Sequence, residues 1–166
     1  MRSHLLKIGT RCSPLALKQT QIVQSLIEKK FSNQSISIKE ILTQGDKDLV
    51  HSLKDIGGKG VFVRDIDHAL LNGAIDLAVH SLKDITTTIP EGLILAGCLK
   101  AESMCDVLVL GKGKSIEELP ENAKIGTGSS RRKSLLAARK FDFEPVDIRG
   151  NVGSRIGKVD GGIYDG

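Results

Sequence analysis

Two rhythms of apolar and polar positions take turns along this chain: short, nearly continuous apolar runs, and longer stretches with helical spacing. Residues 4–9 form a run of strand length that leads into Thr10-Arg11-Cys12-Ser13-Pro14. Beyond it, Leu15, Ile22 and Leu26 fall on one helical line and Ala16, Val23 and Ile27 on the line beside it, with Ser13 a natural N-cap and Pro14 a natural first helical residue. Residues 36–43 predict a second strand, residues 44–60 a polar, glycine-rich mobile loop, and residues 62–72 a helix stopped by Gly73. Residues 75–79 are almost wholly apolar and run directly into His80-Ser81-Leu82-Lys83-Asp84, which puts a polar cluster at the carboxyl end of a strand.

The second half repeats the theme. Residues 93–98 and 107–110 predict strands, with 99–106 crossing between two domains. Residues 124–126 enter a strand-to-helix turn, Thr127-Gly128-Ser129-Ser130, before a helix over 131–140 whose Leu135, Leu136 and Ala138 can face a sheet. Residues 144–148 predict another strand, followed by Arg149-Gly150-Asn151-Val152-Gly153-Ser154-Arg155 and a short helix. Strands alternating with helices imply an α/β fold with mostly parallel sheets. Ligands of such sheets bind beyond the carboxyl ends of the strands, where helix amino termini also direct free N–H groups. Arg11, Lys83, Asp84, Arg131, Arg132, Arg149 and Arg155 all fall at or just after predicted strand ends. Guanidinium forks bind carboxylates in pairs of hydrogen bonds, so this edge suits a ligand with several carboxylates. A single acid among them, Asp84, is better suited to handling a cation or a proton.

Charge sharpens the picture. The chain of 166 residues carries a net charge of +4, yet nine Lys or Arg and only three acids lie between Lys124 and Lys158. Such a cluster calls for an anionic partner. Nucleic acid fits less well than a small polycarboxylate, because one Tyr, four Phe and no Trp leave few platforms on which bases could stack. Cys12, Cys98 and Cys105 lack metal-ligand or disulfide spacing and read as reduced thiols, so no metal is expected. No apolar run approaches the ~20 residues that span a bilayer, and the start lacks the features of a secretory signal, so the expected setting is cytoplasmic, away from membranes. Gly111-Lys112-Gly113-Lys114-Ser115 ends like a phosphate loop, but Leu108 stands where its opening glycine belongs. A lone arginine is ordinarily a solvated surface residue, Lys83-Asp84 could be a loop salt bridge, and His80 reads as a hydrogen-bonded strand-end residue rather than a base. Their shared position at strand ends is what raises them above these plainer readings.

Five segments then fall in order: Arg11-Cys12-Ser13-Pro14-Leu15-Ala16, Thr43-Gln44-Gly45-Asp46, Gly58-Lys59-Gly60-Val61-Phe62, Val79-His80-Ser81-Leu82-Lys83-Asp84 and Arg149-Gly150-Asn151-Val152-Gly153-Ser154-Arg155. Together they resemble the successive signatures of the porphobilinogen deaminase (hydroxymethylbilane synthase) family, over essentially the whole chain but only about the first half of that family's usual length. The resemblance implies two domains like those of periplasmic binding proteins. The first would occupy residues 1–98 and the second residues 107–166, with a hinge over 99–106. The second domain and the closing strands of the first would be incomplete, and the family's third domain would be absent.

The resemblance further implies a transferase of tetrapyrrole, porphyrin and haem biosynthesis that joins four porphobilinogen units, with loss of ammonia, on a tethered dipyrromethane cofactor to give hydroxymethylbilane. Pyrrole acetates and propionates would account for the convergent arginines. Asp84 would contact pyrrole nitrogens and stabilise cationic intermediates. Arg11, Arg149 and Arg155 would be the other catalytic residues. Ser13, Lys83, Arg131 and Arg132 would hold cofactor carboxylates, while Ser81, Thr127 and Ser129 would add hydrogen bonds. A lid would include Gly58, Lys59 and Phe62. None of the three cysteines matches the family's attachment cysteine. The resemblance also implies small-molecule partners only and a monomer at full length.

Three places depart from the family's pattern. Gly128 replaces a hydroxyl residue, Ala101-Glu102-Ser103-Met104-Cys105-Asp106 lacks two arginines, and Thr86 stands in place of a proline. With an unpaired sheet edge, these residues on their own are expected to be poorly stable and inactive. The rival reading is a two-lobed carboxylate-binding or sensor module without catalysis, for which an acid at position 84 has no use.

Overall fold

In the computed structural model, which describes residues 5–47, 60–103, 105–111, 114–138 and 142–166, Leu6–Arg11 forms β1, the central strand of a three-stranded sheet. Ser13 caps the following helix, α1 (Pro14–Lys30), by accepting a hydrogen bond from the Ala16 N–H at 3.3 Å, and Pro14 opens it. Both were foreseen. Further elements of this part are β2 (Ile36–Ile41), a four-residue helix α2 (Gln44–Lys47), α3 (Arg64–Leu71) and the two-residue β3 (Leu77–Ala78). β2 and β3 flank β1, both parallel to it, in registers that pair Leu6 with Ile36 and Ile8 with Leu77. Two compact units result, Met1–Cys98 and Leu99–Gly166, each built on parallel strands.

The first unit is closed by Ile8, Val61, Val63, Ile66 and Ile75, all buried, with Thr10, Thr20 and Thr43 wholly buried among them. β1 is covered on both faces, as a central parallel strand should be. On one face lies Ile8; on the other, a Cβ at Gly9 would stand 2.3 Å from the Cδ1 of the buried Ile75, so a side chain there would force Ile75 to shift. Gly73, at φ +73°, stops α3 in the left-handed conformation that the sequence signalled.

In the second unit β4 (Ala123–Gly126) and β5 (Phe143–Val146) pair in parallel, and α4 (Ser130–Ala137) and α5 (Val152–Asp160) follow them. Ala123, Ile125, Thr127, Ile148 and Val159 are the buried ones among its described residues. The last residues run beside β4: the Asp165 N–H donates to the Lys124 carbonyl at 3.0 Å and the Gly126 N–H to the Gly166 carbonyl at 2.7 Å.

Several expectations are corrected. Residues 93–98 and 107–110 form no strand; Ile94 is 86% and Val107 82% exposed, because a strand needs a neighbour to complete its ladder and the described residues provide none. The strand expected over 75–79 shrinks to Leu77–Ala78, although Asp76 and Val79 still donate to the Lys7 and Gly9 carbonyls of β1. The loop expected over 44–60 begins instead with α2, whose Asp46 and Lys47 N–H groups donate to the Thr43 carbonyl at 3.0 and 3.1 Å, while residues 48–59 lie outside the described ones. On α1 the line Leu15, Ile22, Leu26 faces outward at 45–50% exposure, and the neighbouring line through Ala16, Val23 and Ile27, with buried Thr20, lies against the sheet. Thr20 tolerates burial because its hydroxyl donates to the Ala16 carbonyl at 2.9 Å.

Candidate functional site

Strand ends set the site residues of the first unit. Arg11 is the last residue of β1, and Asp84 ends a 3-10 turn, Leu82–Asp84, that follows β3; its N–H donates to the Ser81 carbonyl at 2.9 Å. The Arg11 Nη1 lies 3.9 Å from the Asp84 Oδ2, so the two charges face each other without a hydrogen bond. Arg11 is engaged more closely elsewhere. Its Nη2 is in direct contact with the Asp46 Oδ1, its Nε donates to Oδ2 at 3.3 Å, and its guanidinium lies over the Phe62 ring, 3.9 Å from the centroid.

Asp46 closes the Thr43-Gln44-Gly45-Asp46 segment, for which the resemblance implies no particular role. It is held by the Thr43 hydroxyl, which donates to Oδ2 at 2.7 Å, and by the Thr43 N–H at 3.3 Å. Burial pushes the Asp46 carboxyl upward, but the hydrogen bonds from Arg11 and Thr43 outweigh it and hold the group below its ordinary value. Phe62, expected as part of a lid, is here a half-buried platform beneath Arg11; Gly58 and Lys59 of the same expected lid lie outside the described residues.

The platform depends on a glycine. A Cβ at Gly45 would stand 2.3 Å from the Phe62 Cε1 and 2.5 Å from its Cδ1, too close for either to stay. Gly45→Ala is therefore expected to drive Phe62 off Arg11 and to cost about 1–3 kcal/mol, the usual range for an overpacked site. Urea unfolding of the two chains measures this, and equal stabilities would contradict the packing described.

The remaining residues of this unit surround the pair. The Ser81 hydroxyl donates to the Gln19 Oε1 at 3.1 Å, and Ser13, whose oxygen caps α1, keeps its own O–H as a donor. Lys83 is exposed and, with Gly60, Asp84 and Thr86, lines a cavity of about 230 Å³. Burial pushes His80 below its ordinary value against the pull of Asp67 and Asp84, which favours its neutral form. Burial likewise raises the Cys12 thiol, aided by Glu40 and Asp46, so Cys12 is held in its unreactive form.

In the second unit, helix caps place the expected residues. Ser129 caps α4, accepting from the Arg132 N–H at 3.4 Å, while its own N–H donates to the buried Thr127 hydroxyl at 3.2 Å. Arg131 and Arg132 sit in the first turn of α4, Arg131 exposed. Arg132 is forked onto Asp106, with Nε at 3.0 Å and Nη2 at 2.7 Å from Oδ1, which demonstrates a carboxylate in its reach. Arg149 follows β5, and its carbonyl accepts from the Lys158 Nζ at 3.0 Å. Gly150 takes φ +115°, and Asn151 caps α5 by accepting from the Ser154 N–H and hydroxyl at 2.9 and 3.1 Å. Arg155 lies on α5, and its Nε is buried without a hydrogen-bond partner among the described residues. A buried donor left open in this way suits an acceptor brought by a ligand. At Gly128 a Cβ would meet the Ile148 carbonyl oxygen at 3.3 Å, a tight but not prohibitive fit for the hydroxyl residue that the family's pattern has there.

Among the described residues no helix is long and apolar enough to cross a membrane. Residues 6–166 match the family model described as "Porphobilinogen deaminase, dipyromethane cofactor binding domain". The chain is 45% identical over 161 residues to the porphobilinogen deaminase of Alkaliphilus metalliredigens, covering 97% of this chain and 51% of that one. It is 47% identical over 163 residues to that of Rickettsia canadensis, covering 98% and 54%, and 41% identical over 162 residues to the chloroplastic protein of Euglena gracilis, covering 96% and 34%. The chain thus spans about half the length of the two bacterial relatives and a third of the Euglena protein. With the model matched from Leu6 to the last residue and relatives at this identity across nearly every position, the chain belongs to the porphobilinogen deaminase family.

Proposed function

We propose that this chain carries the cofactor- and substrate-handling residues of a transferase that joins four porphobilinogen units, releasing ammonia, to form hydroxymethylbilane. The observation that carries this reading is Asp84. It is a carboxylate at a strand end, set in a basic and hydroxyl-rich neighbourhood and 3.9 Å from Arg11 yet not hydrogen-bonded to it. An anion so placed can stabilise the positive charge that develops on a pyrrole when ammonia leaves its side chain, and can accept a pyrrole N–H. Because Asp84 is fixed by its own turn, that stabilisation needs no rearrangement as charge develops.

The residues also suit a dipyrromethane, the cofactor named in the matched family model. In the second unit the open Nε of Arg155, Arg149, the exposed Arg131 and the α4 cap formed by Thr127 and Ser129 offer donors for acetate and propionate groups. In the first, Ser13, Ser81 and Lys83 do the same. Arg132 would exchange Asp106 for a cofactor carboxylate of the same chemistry. When bound, the dipyrromethane supplies the pyrrole end to which new units are joined; this chain's arginines and hydroxyls orient it. The reading keeps each unit as a lobe of the periplasmic-binding-protein kind, in a cytoplasmic, monomeric enzyme.

The test is direct. A protein of the relatives' full length carrying these 166 residues is expected to consume porphobilinogen, release ammonia and accumulate hydroxymethylbilane. Tight porphobilinogen binding with no ammonia release would overturn the reading in favour of a receptor.

A further inference from the structure

We propose that Asp46 is a positioning residue of this site: by taking the Arg11 guanidinium into its own carboxylate fork, it keeps Arg11 from closing onto Asp84 and leaves Asp84 open to a cation or a pyrrole N–H. The inference rests on the reading that Asp84 meets the cationic group.

Arg11 lies between two carboxylates and serves them unequally. Nη2 and Nε both engage Asp46, whereas only Nη1 is turned to Asp84, at 3.9 Å. Charge attraction falls with distance and the hydrogen-bond component is lost at that separation, so Asp46 holds the stronger claim. Asp46 also has the better anchorage. Thr43, wholly buried, donates twice to its Oδ2, and the short helix that carries Asp46 is tied down through the Gly45 N–H to the Val61 carbonyl at 3.1 Å and the Gln44 N–H to the Asp65 Oδ2 at 2.9 Å. Phe62, seated against Gly45, fixes the plane of the guanidinium from below. It is therefore Asp46 that places Arg11, and not the reverse.

Remove the charge of Asp46 and the nearest carboxylate to Arg11 is Asp84, already within 4.0 Å in a half-buried setting. A bidentate fork would then close on Asp84, occupying the lone pairs that a substrate N–H requires and cancelling the charge that a cation requires. In the structure as it stands, the positive charge of Arg11 is spent on Asp46 and the negative charge of Asp84 remains available.

The experiment is a crystal structure of Asp46→Asn in a protein of the relatives' full length, paired with the side-chain 15N resonance of Arg11. Arg11 is expected to move onto Asp84 with an N–O separation of about 3 Å; Arg11 left in place, with Asp84 still disengaged, would overturn the proposal. Should the Asn variant not fold, the converse variant decides: in Asp84→Asn, Arg11 is expected to stay forked on Asp46, and a displaced Arg11 would overturn the proposal equally. At the relatives' full length, Asp46→Asn is expected to lower kcat by about tenfold to a hundredfold, as a misplaced group does, with Asp46→Glu recovering most of the loss; an unchanged kcat counts against the proposal. The movement of Arg11 is read without turnover, so failure of the catalytic reading of Asp84 and failure of this proposal leave different results.

Discussion

Asp84→Asn, in a protein of the relatives' full length, is expected to lose at least about 10²-fold in porphobilinogen turnover, the lower end of what a positioned acid–base or charge-stabilising group supplies. Asparagine keeps the size and one acceptor oxygen of the side chain but removes its charge, so the change isolates electrostatics from shape. The fold should tolerate it. Asp84 is partly exposed, its backbone N–H anchors the turn through the Ser81 carbonyl, and its carboxylate is no hydrogen-bond partner of Arg11, so no buried group is stranded when the charge goes. Turnover by the purified variant and its urea midpoint give the two readings. A variant that retains more than about a tenth of the activity, on the scale of an ordinary catalytic contribution, would remove Asp84 from the role assigned to it; a loss of activity accompanied by collapse of the fold would also contradict this account.

The second large effect belongs to the core beneath the site. Ile66 on α3 is fully buried, in a first unit whose buried apolar residues, among those described, are Ile8, Val61, Val63, Ile66 and Ile75. Ile66→Ala is expected to lower stability by about 2–5 kcal/mol, the range for truncating a large aliphatic side chain in a packed interior. Against a total of about 5–15 kcal/mol for an ordinary domain, that is a large share. The consequence reaches the site through the backbone. The Ile66 N–H donates to the Val63 carbonyl, and Val61 accepts from the Gly45 N–H beside Asp46, so a loosened α3 loosens the helix that holds Arg11. Denaturant unfolding monitored by circular dichroism measures the effect, and a change below about 1 kcal/mol, smaller than any cavity of this kind produces, would mean that the site does not rest on this core.

Parts of the site were legible because their signals are local. Ser13 and Pro14 announce the start of α1, Gly73 the end of α3, and the Thr127-to-Ser130 turn the start of α4, since a cap or a left-handed turn involves residues three or four apart. Arg11, Asp84, Arg131, Arg132 and Arg149 could be placed at strand ends for the same reason: an apolar run that stops abruptly in charged residues marks its own end. Asp46 could not be found this way. Its partner Arg11 is 35 residues distant, and the only local hint is a threonine three positions before an aspartate, a pattern that equally marks an ordinary turn.

Sequence alone therefore determined the alternation of strand and helix, the parallel α/β class, the chemistry gathered at strand ends and the family that this pattern resembles. Tertiary structure decided what depends on neighbours distant in the chain. It left residues 93–98 and 107–110 unpaired though their composition suits strands, and it turned Leu15, Ile22 and Leu26 outward although their spacing is as helical as that of the line that was buried. It also gave the charge of Arg11 to Asp46 rather than to Asp84. Periodicity and capping are written in interactions that span a turn or two. Strand pairing, the buried face of a helix and the choice between two carboxylates for one guanidinium are settled only when tens of intervening residues close into a fold, and no local pattern carries that distance.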